Sequence, residues 1–188
     1  MRLLAISGSL RSGSLNSALL RTAAERLPAG VALERFDRLG EIPPFDEDAE
    51  VSSPIVVEEL REAIQEADGV LISTPEYNHS LPGQLKNALD WASRPAGQSA
   101  LNGRPAAVIG ASKSMFGGLW AQAELRKVLA AMGGRVVEAD LPVPHAHGLL
   151  SDDGRLRLPP ELAERLDGIL SELVSAAEVE AGLAQVAA

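Results

Sequence analysis

The sequence predicts a three-layer α/β/α sandwich with a five-stranded parallel sheet. Short apolar runs alternate along the chain with longer amphipathic segments, which is the order strand, helix, strand, helix. The short runs are apolar at nearly every position, as expected for strands that are covered on both faces of a parallel sheet. A chain of 188 residues is long enough for one domain with a sizeable core.

The amino-terminal half of the chain supplies three of the predicted strands and two helices. Apolar runs or apolar–polar alternation predict strands over residues 3–6, 31–36 and 69–73. Apolar residues at helical spacing predict helices over residues 16–27 and 55–67, and Pro28-Ala29-Gly30 ends the first of them. Residues 40–54, with three prolines and an acidic stretch, are predicted to form a long loop.

The rest of the chain contains the remaining two strands and three helices. The strands are predicted over residues 105–111 and 135–137, and the helices over 84–91, 119–132 and 159–177. No internal repeat, low-complexity segment or linker interrupts the pattern. We therefore expect one domain over residues 1–178, followed by a frayed tail over residues 179–188.

Composition restricts the partners and the location of the chain. Its 17 Lys and Arg against 26 Asp and Glu give a net charge of −9 without a basic block, which argues against nucleic acid and anionic membranes as partners. The absence of cysteine excludes disulfides and thiolate chemistry. The first apolar run is too short for a signal peptide or a membrane span, so a cytoplasmic location is expected.

The segment after the first strand has the composition of a phosphate-binding loop. Residues 7–16 read SGSLRSGSLN, which places hydroxyls, two glycines and Arg11 directly before a predicted helix. Backbone N–H groups and the helix dipole attract an anion there, hydroxyls donate to it and Arg11 supplies charge. The alternative is a plain turn with a helix cap at Ser14 or Asn16.

Two other kinds of phosphate loop fit this segment less well. A Walker A loop needs Lys where this chain has Ser14, and a dinucleotide-binding loop needs glycine where it has Leu10. Asp37, after the second strand, stands where a ribose-binding acid would sit. The dinucleotide-binding alternative is therefore weakened but stays open.

The segment after the third strand reads TPEYNHSLPG over residues 74–83 and is suited to a flat heterocycle. Backbone amides and Asn78 can bond the polar edge of such a ring, while Pro75 and Tyr77 supply apolar contact. The alternative is a rigid proline loop whose tyrosine packs on the core. In the following helix, Leu85, Leu89 and Trp91 form an apolar stripe for the core or a subunit contact, and Lys86 and Asp90 form an i, i+4 ion pair.

Together, GSLRSGSLN and PEYNHSLPGQLKNALDW resemble the NAD(P)H-dependent FMN reductase family, which includes bacterial quinone and chromate reductases and some azoreductases. The resemblance extends from Met1 to about Val174. It implies a flavodoxin-like fold, bound FMN with NADPH or NADH as co-substrate, and a homodimer or homotetramer. The helix over residues 84–91 and the loop before it resemble the family's dimer contact.

The resemblance also implies where the flavin binds. The first loop holds the FMN phosphate, and the PEYN segment and the loop after the fourth strand line the isoalloxazine ring. The implied cofactor-binding residues are Ser9, Arg11, Ser14, Leu15, Asn16, Pro75, Glu76, Tyr77, Asn78 and Ser112. Many relatives have S-x-G where this chain has Ser112-Lys113-Ser114, which brings the charge of Lys113 to the flavin or to a nicotinamide phosphate.

The activity implied is hydride transfer from NAD(P)H through FMN to a small-molecule acceptor, which is a quinone, an azo compound, a free flavin or an oxidised metal ion such as chromate. Donor and acceptor use the same ring face in turn, a ping-pong mechanism, and no side chain is assigned as catalytic. His145 and His147, with Asp152 and Asp153 nearby, lack a third ligand at metal-site spacing, so no metal is expected. The alternatives are an FMN-binding electron carrier without nicotinamide activity and a Rossmann-type dinucleotide enzyme.

Overall fold

A parallel sheet organises the chain in the computed structural model, which describes the backbone of residues 1–187 and the side chains of residues 1–180 and 182. Its strands run in the order β2-β1-β3-β4-β5, and a sixth short strand pairs with β4. The strands are β1 (Arg2–Ser7), β2 (Ala32–Phe36), β3 (Gly69–Ser73), β4 (Pro105–Ala111), β5 (Arg135–Val136) and β6 (Pro142–Val143).

The fifth position of the sheet is shared by two short strands. β5 pairs with the beginning of β4, with Pro105 opposite Arg135, and β6 pairs with its end, with Ala111 opposite Val143. The sequence pattern predicted β5 but missed β6, because a strand of two residues, one of them a proline, shows no periodicity. The predicted parallel sheet of five positions is confirmed.

The strand order decides between a flavodoxin-like fold and a dinucleotide-binding Rossmann fold, an alternative that the sequence of the first loop left open. The order 2-1-3-4-5 is that of flavodoxin-like folds, whereas dinucleotide-binding Rossmann folds have the order 3-2-1-4-5-6. Asp37, the candidate ribose-binding acid, instead forms an ion pair with Arg35. The fold is flavodoxin-like, and the Rossmann alternative is wrong.

Helices cover both faces of the sheet and make two separate apolar clusters. They are α1 (Leu15–Arg26), α2 (Ile55–Glu66), α3 (Gly83–Ala92), α4 (Leu119–Ala131) and α5 (Pro160–Ala187). Leu4 and Ile6 of β1 pack in the cluster of α2, α3 and α4, whereas Leu3 and Ala5 pack in the cluster of α1 and α5. Successive strand residues therefore meet opposite helix layers, which explains why the strands are apolar throughout.

Two segments differ from the sequence-based expectation. The predicted loop over residues 40–54 contains most of two 3-10 helices, Leu39–Glu41 and Glu47–Ser52. α5 continues beyond its predicted end at residue 177 as far as Ala187, since the added residues are mostly good helix formers. The frayed tail expected over residues 179–188 is thus helical through Ala187, and Ala188 lies outside the described residues. No helix in the described part of the chain is long and apolar enough to span a membrane.

Candidate functional site

The loops that follow β1, β3 and β4 meet at one edge of the sheet, because parallel strands end on the same side. They enclose a cavity of about 210 Å³. Nine of the ten residues that the sequence assigned to cofactor binding line it, namely Ser9, Arg11, Ser14, Leu15, Asn16, Pro75, Glu76, Tyr77 and Ser112. Ala111 and Lys113 complete the lining, and Asn78 lies outside it. We call this space the strand-end cavity.

The first turn of α1 provides the donors for an anion in the strand-end cavity. Ser14 is the N-cap, and its Oγ accepts a hydrogen bond of 3.1 Å from the backbone N–H of Ser17. In the described chain, no acceptor pairs with the backbone N–H of Leu15 or Asn16, although both residues are buried. Free N–H groups at the positive end of a helix are what a phosphate needs, so this loop fits the FMN phosphate.

The side chain of Asn16 has a structural role that the sequence did not indicate. It is buried, and its Oδ1 accepts hydrogen bonds of 2.9 Å from the Ser73 hydroxyl and the Ala111 backbone N–H. Its Nδ2 donates to the Ala111 carbonyl over 3.0 Å. The amide therefore ties α1 to the ends of β3 and β4, and the free group that Asn16 offers to an anion is its backbone N–H.

A tight turn shapes the loop after β3. Tyr77 and Ser80 exchange backbone hydrogen bonds of 3.0 and 3.1 Å, and the two residues between them, Asn78 and His79, both have positive φ, 52° and 62°. These are the features of a two-residue turn of type I′. Asn78 occupies the exposed tip of this turn, which explains why it alone of the ten residues does not line the cavity.

Glu76 joins this turn to α4. Its side chain is only 10% exposed, and its Oε2 accepts hydrogen bonds from the backbone N–H groups of Trp120 (3.0 Å) and Ala121 (3.3 Å). A carboxylate at a helix N-terminus satisfies free donors and interacts favourably with the helix dipole. Sequence reasoning missed this role because the helix that Glu76 caps starts more than forty residues away.

Replacing Glu76 with alanine is expected to lower the free energy of unfolding by about 1–2 kcal/mol, as for other lost N-caps. The reason is that two N–H groups of the first turn of α4 lose their acceptor. Urea unfolding followed by circular dichroism measures the change. Glu124→Ala, which removes an exposed carboxylate further along α4, is the matched control. Equal unfolding midpoints for the two variants would contradict the capping role.

The loop after β4 is held from two sides. The Ser112 carbonyl accepts a hydrogen bond of 2.9 Å from the backbone N–H of Ala146, and its hydroxyl accepts one of 3.1 Å from the backbone N–H of Ser114. Lys113 lies exposed between them. The Ser-Lys-Ser departure from the family pattern thus leaves an ordered loop, and it puts one ammonium group beside the cavity.

Gln122 of α4 supports the same loop from inside. It is fully buried, and its Oε1 accepts a hydrogen bond of 3.1 Å from the backbone N–H of Leu141, just before β6. A Cβ at Gly110 would lie 2.8 Å from the Gln122 Nε2, so this approach requires glycine in β4. Sequence reasoning missed Gln122; the available signal was a polar residue within the apolar stripe of α4.

Three aromatic side chains form an exposed ledge beside the cavity. The rings of His79 and Trp120 are 5.0 Å apart and those of Phe116 and Trp120 are 4.7 Å apart, both edge to face. Phe116 is 47% exposed and Trp120 is 40% exposed. We call His79, Phe116 and Trp120 the aromatic ledge. It offers planar apolar surface next to Glu76 and Tyr77.

A second cavity, of about 380 Å³, shares Ser9 and Arg11 with the first. Arg21 and Arg35 also line it, together with Glu41. A hydrogen bond from the Arg38 guanidinium lowers the pKa of the Glu41 carboxyl, which keeps this carboxylate ionised near neutral pH. In the part of the chain that the structure describes, no three His, Asp or Glu side chains come together as a metal site.

Comparison with known proteins places these features in a family. A family model described as NADPH-dependent FMN reductase matches residues 1–148. An NAD(P)H-dependent FMN reductase of Pseudomonas aeruginosa is 50% identical over 130 residues, 69% of each chain. A quinone reductase of Escherichia coli K12 is 40% identical over 139 residues, 73% of each chain.

A solved structure extends the likeness to nearly the whole chain. The flavoenzyme NAD(P)H:(acceptor) oxidoreductase FerB from Paracoccus denitrificans superimposes with a TM-score of 0.82 at 33% identity. The match covers 94% of this chain and 97% of FerB. The similarity therefore extends into α5, which lies beyond the residues that the family model matches.

Proposed function

The chain belongs to the NADPH-dependent FMN reductase family, and from this premise we propose that its strand-end cavity binds FMN and serves electron transfer from NADPH or NADH to quinones. Family membership makes the protein an FMN-dependent oxidoreductase that uses NAD(P)H. This argues against the alternative of an electron carrier without nicotinamide activity. Beyond family membership, we propose which residues bind the cofactor, which acceptor is reduced, and the order of the two half-reactions.

The observation that carries the proposal is the meeting of three separate loops around one cavity. Nine residues assigned to the flavin, from chain segments about 60 and 35 residues apart, line the same space. Where the cavity borders α1, free N–H groups and Arg11 provide what a phosphate requires. Where it borders Pro75 and Tyr77, the lining is partly apolar, as a ring requires.

Each group in the cavity has a part in binding the cofactor. The N–H groups of Leu15 and Asn16, with the Ser14 hydroxyl and the Arg11 guanidinium, would hold the phosphate. The backbone from Pro75 to Tyr77 and the loop at Ser112 would flank the ring. When bound, FMN supplies the redox chemistry, by taking a hydride from the nicotinamide and passing two electrons to the acceptor. The protein's part is to bind, orient and expose the ring.

We also propose a ping-pong order. FMN would itself occupy the strand-end cavity, of about 210 Å³, so that only the outer face of its ring is left for other reactants. Nicotinamide and acceptor would therefore occupy the open face of the ring in turn. Initial rates that give parallel double-reciprocal lines for NADPH and quinone support this order, and intersecting lines contradict it.

A quinone is the acceptor that the relatives favour, since the matched E. coli protein is a quinone reductase. The aromatic ledge, exposed beside the cavity, offers planar surface for such a ring. Azo compounds, free flavins and chromate are the other acceptor classes, and the same assay ranks them by kcat/KM.

The visible absorption spectrum of the purified protein, after addition of FMN and removal of the excess, tests the proposal first. Retained flavin bands, bleached by NADPH or NADH and restored by 1,4-benzoquinone without oxygen, are the expected result. A protein that remains colourless would overturn FMN binding. One that binds FMN but is not bleached would overturn the nicotinamide half of the reaction.

We also propose that the chain forms a homodimer or homotetramer through the face of α3. A cavity of about 500 Å³ between α3 and α4, lined by Leu89, Val128 and Met132 among others, leaves this face incompletely filled. The predicted pair of Lys86 and Asp90 is present at 2.7 Å on its rim. Light scattering is expected to give twice or four times the 19.7 kDa of the monomer; a monomer mass would contradict this contact.

A further inference from the structure

The turn after β3 carries a histidine in a conformation that suits glycine. Asn78 and His79 both lie in the left-handed region, at φ values of 52° and 62°. Glycine is preferred at the second central position of such a turn, and asparagine and histidine are among the few other residues that adopt positive φ. A non-glycine residue in this conformation at the border of a site is a candidate for a functional role.

The imidazole of His79 is both open to water and held in place. Its side chain is 76% exposed, its Nδ1 lies 3.6 Å from Oε1 of Glu76, and its ring packs edge to face on Trp120. Glu76 is itself fixed by the first turn of α4. Glu76 is the charged group that faces the imidazole from its own loop, and the contact from α4 is the uncharged Trp120.

Reduction of a quinone to a hydroquinone consumes two electrons and two protons. Hydride transfer from the reduced cofactor brings both electrons and one proton, so a second proton must reach the other quinone oxygen. A general acid for this step must lie beside the bound acceptor and exchange protons near neutral pH, which is the property of imidazole. His79 stands on the aromatic ledge, next to the cavity-lining residues Glu76 and Tyr77.

We propose that His79 is the proton donor to the quinone, an inference that rests on the proposed function. The N–H bond of the imidazolium breaks as an O–H bond forms on the quinone oxygen, while the hydride supplies the electron pair. The exposed ring then recovers a proton from solvent. Glu76 holds the imidazole close, with its Oε1 3.6 Å from Nδ1, and Trp120 limits the rotation of the ring.

Acceptors that differ in their need for protons test the role of His79. Ferricyanide takes one electron and no proton, so the ratio of 1,4-benzoquinone turnover to ferricyanide turnover isolates the proton step. In FMN-loaded His79→Asn, which keeps a residue tolerant of positive φ, we expect this ratio to fall by about 100-fold, the lower end of the range for a lost general acid. The pH dependence of the wild-type ratio should also be lost in this variant.

His147→Asn is the matched control, since His147 is exposed on the 3-10 helix Ala146–Leu149 and does not line the cavity. The control is expected to keep the wild-type ratio and its pH dependence. A ratio in His79→Asn equal to that of the control would overturn the proton-donor role. A wild-type protein that binds FMN and reduces ferricyanide with NADPH but reduces no quinone would overturn the proposed acceptor as well.

A second measurement, thermal unfolding, does not depend on enzymatic activity. His79→Asn should unfold at the same temperature as the control His147→Asn, because the imidazole is 76% exposed and asparagine also adopts the positive φ of this turn. A fall in the turnover ratio accompanied by a lower unfolding temperature in His79→Asn would show that the imidazole serves the fold, and would overturn the assignment.

Discussion

Replacing Gly117 with alanine is expected to lower the free energy of unfolding by about 3 kcal/mol and to abolish FMN retention. Gly117 has φ of +61°, and a Cβ there would lie 2.6 Å from the Pro142 carbonyl carbon and the Val143 nitrogen. Both are backbone atoms of β6, which is hydrogen-bonded to β4. A side chain at position 117 is therefore disfavoured both by the left-handed backbone conformation and by the close approach of β6.

The same substitution is expected to affect FMN binding, because Gly117 belongs to the loop after β4. To relieve the contact, this loop must move away from β6, and Ser112 and Lys113 of the cavity wall move with it. Urea unfolding measures the stability, and the flavin absorbance after gel filtration measures retention. Gly148→Ala is the control, since a Cβ there meets no atom within 4 Å. A Gly117→Ala variant as stable as this control would contradict the steric argument.

Replacing Arg11 with alanine is expected to weaken FMN binding by about 10- to 100-fold, the range for one lost charge-assisted hydrogen bond. Arg11 lines the strand-end cavity, and its Nη2 donates to the Gly13 carbonyl over 3.2 Å, a weak contact that a phosphate can replace. Because the chain carries a net charge of −9, attraction of an anion depends on such local cations.

Titration of the apoprotein with FMN, followed by quenching of flavin fluorescence, measures the affinity. Arg165→Ala removes an equal charge from an exposed position on α5 and is expected to leave the affinity near that of the wild type. Unchanged thermal stability in Arg11→Ala would show that the fold is intact. Equal FMN affinities for Arg11→Ala and Arg165→Ala would remove Arg11 from the phosphate site.

The sequence by itself determined the layers of this protein and the loops that form its cavity. Local periodicity was enough to place β3 and β4 at the residues where they are found, because strands covered on both faces must be apolar at every position. Glycines, hydroxyls and Arg11 between a strand and a helix were likewise enough to indicate a phosphate loop. These signals lie within short segments of the chain, so they can be recognised in the sequence without knowledge of the fold.

Tertiary structure alone decided which partner each polar side chain has. Asn16 and Glu76 both line the cavity, as the predicted sites require, but only the fold shows that the Asn16 amide bridges the ends of β3 and β4 and that the Glu76 carboxylate caps α4. β6 and the buried role of Gln122 also depend on segments that are distant along the chain. Periodicity reports the environment of a residue's own element, whereas a hydrogen bond between elements depends on how the strands and helices are arranged in space.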